Sequence, residues 1–72
     1  MTANKTLLQR KYARVIEMYS RRRNVDLRKA LDIFYKSQTY QDIRDGVSDM
    51  HCRSDEYLAE ELLLEQSMQE IG

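Results

Sequence analysis

Apolar residues along this chain recur every three or four positions, and they fall in four separate runs. In the first run Leu8, Tyr12, Val15, Ile16 and Tyr19 lie within a sector roughly 100° wide when each residue turns the helix by about 100°. That spacing predicts a helix over about 4–23, capped by Asn4 or Thr6, with its opposite side basic. Asn24–Val25 breaks the pattern, because Asn tolerates the left-handed conformation that ends helices. Asp26 then caps a second helix, about 27–37, with Leu27, Ala30, Leu31 and Phe34 as its inward stripe and Tyr35 on the flank.

The stretch DIFYKSQTYQDI, residues 32–43, reads as a helix-to-helix corner. Ser37 or Thr39 can cap a short third helix over about 39–45, with Asp42 completing an imperfect capping box and Tyr40 and Ile43 as its apolar pair. Gly46 stands where a left-handed residue closes such a helix. VSDMHCR, residues 47–53, is expected to be a connector. Ser54, Asp55 and Glu56 then open the last helix, about 55–70. Its apolar residues do not form one stripe. Leu58 and Leu62 share one side; Tyr57, Leu64, Met68 and Ile71 share another, about 100–140° away; Leu63 lies on neither. A helix apolar over more than half its circumference has neighbours on both sides. A small bundle covers one side; the other needs a partner chain, a second copy of this chain or a broad groove between its own helices, and Tyr57, Leu64, Met68 and Ile71 are the candidate interface.

Composition supports an all-α fold: a bundle of three to four helices forming one domain over residues 1–72, with no proline and only two glycines. Seventy-two residues bury only about 60% of the surface their unfolded chain exposes, and a single cysteine, Cys52, excludes an internal disulfide. The charged N-terminus, the absence of a long apolar run and the lone cysteine lead to the expectation of a reduced, cytoplasmic protein without a membrane span.

The net charge of zero conceals a polarity. Residues 1–36 carry ten Lys and Arg against three acids, a net +7, and residues 37–72 carry two against nine, a net −7. This split favours packing the last helix beside the first, or one molecule's tail against another's front.

Candidate chemistry changes little. His51–Cys52, with Asp49 nearby, lacks the further ligands that a metal needs, and the expected role is a connector with a partly buried Cys52. Tyr35–Lys36–Ser37 would need a pocket to act as an acid–base pair, and aromatic core plus helix cap is the simpler account. Glu60, Glu61 and Glu65 read as a solvated acidic face. No catalytic, cofactor or metal site is expected, and no small-molecule substrate. Arg10, Arg14, Arg21, Arg22 and Arg23 form a basic face that could contact phosphate. The short third helix YQDIRD has the wrong charge to read DNA, and the pI near 6.6 argues against nucleic acid as the main partner.

The segment with Ala30, Leu31, Phe34, Tyr35, Ser37 and Tyr40, the later Ser54, Tyr57 and Leu58, and the closing acidic helix with Glu65 resemble a family of very short bacterial proteins classed as a domain of unknown function. The resemblance covers about residues 9–68. Relatives in that family are often encoded beside proteins resembling ADP-ribosyltransferase-type toxins. It therefore implies an antitoxin-like or adaptor-like protein that masks a neighbour, and it supplies no catalytic residue.

Overall fold

In the computed structural model, which describes residues 5–71 of the backbone and 7–68 of the side chains, the chain is an all-α bundle. Helix α1 spans Lys5–Arg23, α2 Leu27–Tyr35, α3 Gln38–Asp45 and α4 Asp55–Ile71, with a 3₁₀ segment at Val47–Cys52. The expected bounds hold to within two residues. α2 stops at Tyr35 instead of 37 because Ser37 leaves the helical conformation to cap the next helix, which begins at Gln38. The connector is not featureless: its 3₁₀ turns are interrupted by Ser48 and Asp49, both left-handed at φ 51° and 57°. The expected Asn4 and Thr6 caps lie outside the described side chains.

Local chemistry sets each corner. Asn24 takes φ 55° and ends α1. The Ser20 hydroxyl then donates to the Val25 carbonyl at 2.6 Å, and the Val25 amide donates to the Ser20 carbonyl at 3.1 Å. The Asp26 carboxylate accepts the Lys29 amide at 2.7 Å and starts α2. Ser37 accepts the Tyr40 amide at 3.0 Å, while its hydroxyl donates back to the Phe34 carbonyl. Gly46 closes α3 at φ 70°. Ser54 caps α4 by accepting the Tyr57 amide at 3.1 Å.

The core is built from all four α-helices. Tyr12, Val15, Ile16 and Tyr19 meet Ala30, Phe34, Ile43, Leu58, Ala59 and Leu62. Leu8, Met18, Ile33, Tyr40 and Leu63 pack around its edge. Leu63, which fits neither expected stripe, stands on the flank of the core beside Ala59. The inward stripe expected for α2 is only half right: Ala30 and Phe34 are buried, whereas Leu27 and Leu31 are exposed. With nine residues, α2 turns its narrow face of Ala30 and Phe34 to α1 and α3, and its outer leucines lie beyond reach of either. A radius of gyration of 11.6 Å matches the roughly 11 Å expected of a close-packed chain of this length.

Ion pairs join α4 to α1 at the edge of the core the two helices share. Asp55 accepts Lys11 at 3.2 Å and Arg14 at 2.6 Å, and Glu60 accepts Arg22 at 3.1 Å. The basic front and acidic back of the sequence thus meet within one molecule. Among the described residues no helix is long and apolar enough to cross a membrane.

Candidate protein interface

The aromatic corner is a packing unit. The rings of Tyr12, Phe34, Tyr35 and Tyr40 touch one another in every pairing, with centroids 4.8–6.4 Å apart and mostly edge-to-face. Such arrangements suit the ring quadrupoles. Burial, followed by the neighbouring Tyr40 and Tyr35, holds the Tyr12 phenol above its ordinary value of 10.0, so it stays neutral. Lys36 is drawn to Asp32 at 3.1 Å, and Ser37 is occupied as a cap. The three residues of the Tyr35–Lys36–Ser37 triplet therefore point to separate tasks.

The connector holds a second departure from expectation. Cys52 is exposed, and His51 is the residue tucked against the bundle. Its ring lies over Gly46, where an added Cβ would stand 3.5 Å from Nδ1, and Nδ1 is buried without a hydrogen-bond partner. Among the described residues no group of His, Cys, Asp and Glu could hold a metal ion.

The basic face of α1 is partly engaged by the molecule's own acids. Arg14 and Arg22 reach α4 as described, and Arg21 pairs with Glu17 on its own helix. Arg10 is exposed, and Arg23 is half-buried. The five arginines are spread along the helix and do not converge on one pocket.

α4 keeps its expected two-sidedness. Leu58 and Leu62 are fully buried, whereas Tyr57, Leu64 and Met68 are 43%, 59% and 73% exposed. Ile71 lies outside the described side chains. Tyr57 carries the Arg53 guanidinium over its ring at 5.4 Å. Leu64 and Met68 share a different setting. They line a groove of about 350 Å³ between α3 and α4, together with Gln38, Thr39, Asp42, Glu61 and Glu65. The structure therefore places two of the expected interface residues in one concavity and leaves Tyr57 apart from it.

Sequence reasoning missed what shapes this groove. Glu65, expected to belong to a solvated face, turns its carboxylate onto the start of α3. It accepts the Gln38 amide at 2.8 Å, the Thr39 amide at 2.9 Å and the Thr39 hydroxyl at 2.7 Å. A residue of α4 thereby satisfies amides that the first turn of α3 cannot satisfy itself. Thr39 is buried as a result and does not act as the cap. Glu60 also departs from a purely solvated role through Arg22. The only sequence signal was the imbalance of acids in α4 over cations near it.

The result is a concavity with an apolar wall of Leu64 and Met68 and a rim of carboxylates from Asp42, Glu61 and Glu65. Its α3 side is held by charge-assisted hydrogen bonds, which are stronger than neutral ones. Comparison with protein-family models, curated proteins and solved structures found no match.

Proposed function

We propose that this protein is a non-enzymatic interaction module that docks another polypeptide through the C-terminal half of α4 and the groove beside it. The observation that carries this reading is the exposure of Leu64 and Met68 in a concave setting, on a helix whose other side is already buried in the core. Exposed apolar side chains gathered in a groove mark contact sites more than scattered ones do. An apolar wall with an acidic rim suits a helix or loop carrying apolar residues flanked by cations.

The resemblance to short bacterial proteins encoded beside ADP-ribosyltransferase-like toxins supports an antitoxin-like or adaptor-like role, in which the module masks a neighbour. Contact with nucleic acid through Arg10, Arg14, Arg21, Arg22 and Arg23 is the weaker reading, because Arg14, Arg21 and Arg22 already meet carboxylates.

The test is co-purification of the chain with the product of the adjacent gene, followed by measurement of the mass of the complex. The double variant Leu64→Asp, Met68→Asp should keep its helix content and lose the complex. A monodisperse monomer that ignores the neighbouring product and forms no assembly of its own would count decisively against docking.

A further inference from the structure

We propose that the groove receives helix α2 of a second copy of this chain, so that copies associate head to tail. This rests on reading the groove as a docking site, and it names the occupant.

α2 displays a second group of exposed apolar side chains. Leu27 and Leu31 are 58% and 48% exposed, and Tyr35, one side of which packs on the aromatic corner, is 44% exposed. Their spacing of four residues aligns them as one ridge along the outer side of the helix, about 12 Å long at about 1.5 Å per residue. The molecule therefore has an apolar ridge on α2 and an apolar recess between α3 and α4.

Charge decides which surface meets which. The groove is lined by Asp42, Glu61 and Glu65 and by no cation. Arg28 flanks the ridge, is exposed, and its side chain meets no acid among the described residues, whereas the next acid round, Asp32, is held by Lys36, and Lys29 stands on the far side of the helix. Lys11, Arg14 and Arg22, by contrast, are held by α4. Placing two grooves face to face would oppose carboxylates with carboxylates, and placing two ridges together would bring Arg28 against Arg28. Such juxtapositions are disfavoured. Ridge into groove brings opposite charges together and covers both apolar surfaces in a single contact.

That contact is heterologous: a copy whose groove is filled still offers its ridge. Assembly is then open-ended, and with so small a patch it is weak and concentration-dependent.

Sedimentation velocity tests this on the full chain at low and high salt. The wild type should gain mass with concentration, less so at high salt. Leu31→Asp removes the ridge and Leu64→Asp removes the groove, so each alone should associate at least about tenfold more weakly. Mixed in equal amounts, they should form a dimer that does not grow, since one supplies an intact groove and the other an intact ridge. Should either aspartate variant lose its helical circular dichroism, the surface pair Arg28→Glu and Glu61→Lys serves instead: each alone weakens association and the mixture restores it.

A wild type that stays monomeric up to about 1 mM overturns self-docking, while leaving the groove to another protein. A mixture that fails to associate, or a Leu31→Asp variant that assembles like wild type, overturns α2 as the occupant. If Leu64→Asp, Met68→Asp also leaves a complex with a different protein intact, the docking reading itself falls.

Discussion

The Glu65 carboxylate binds Thr39 twice, through the backbone amide at 2.9 Å and the hydroxyl at 2.7 Å, and so joins α4 to the first turn of α3. It also accepts the Gln38 amide at 2.8 Å. Removing it strands the Thr39 amide and hydroxyl in a partly buried setting, where an unmet donor costs about 1–3 kcal/mol, and leaves the exposed Gln38 amide to water. Glu65→Ala should lower stability by about 2 kcal/mol, and Glu65→Gln by less, because one oxygen remains to accept. Urea titration gives the energies, and amide exchange at Gln38 and Thr39 should quicken. Unchanged exchange at those two positions would refute the assignment.

Phe34 and Tyr35 are neighbours with opposite fates, one buried and one 44% exposed. Phe34→Ala should cost roughly 3–5 kcal/mol, the usual range for emptying a buried aromatic site. A core of this size supplies only about 3–5 kcal/mol in total, so the variant should be largely unfolded at 25 °C. Tyr35→Ala loses edge contacts alone and should remain folded. Far-ultraviolet circular dichroism distinguishes the two.

Asp55 gathers two cations from α1. Partial burial pushes its carboxyl upward, but hydrogen bonds from Arg14 and Lys11, with their charges, outweigh that and hold it below its ordinary 3.8. A carboxyl depressed in the folded state stabilises fully above its ordinary value and loses that effect as pH falls through the lower, folded one. Asp55→Asn should therefore be less stable than wild type by about 1 kcal/mol at neutral pH, after allowance for the exposure of Arg14. The gap should close as pH falls below the ordinary carboxyl value and through the lower, folded one. Urea midpoints across the acid range would show it, and a gap independent of pH would rule out the ion pairs as its source.

Gly46 occupies φ 70°, and the space where a Cβ would stand is open to ordinary contact with His51. The cost of Gly46→Ala is thus backbone strain and not collision, about 1 kcal/mol. Gly46→Asn should cost less, since Asn visits this conformation more readily. Thermal melts of the two variants give the order, and equal melting temperatures would contradict it.

Elements governed by neighbours in sequence were legible in advance. Asn24, Asp26 and Gly46 act where their backbone preferences place them, and Ser37 is one of the two caps expected at the corner. The core stripe of α1 and the two-sidedness of α4 follow from periodicity alone. Periodicity failed for α2, since spacing tells which residues share a side but not how much of that side a neighbour covers; Leu27 and Leu31 stayed outside. Glu65 was illegible for a different reason. Its partners stand 26 and 27 positions earlier, and no local pattern encodes such a contact. The groove needed both elements in place, so the sequence suggested Leu64 and Met68 without the acidic rim around them.

The dependence of α3 on Glu65 also bears on synthesis. During translation the Gln38 and Thr39 amides have only water as acceptor until residue 65 has emerged, and Lys11 and Arg14 gain their shared partner when Asp55 does. A half-made chain that ends before residue 55 lacks every contact of α4, from Leu58 and Leu62 in the core to the Glu65 bonds on α3.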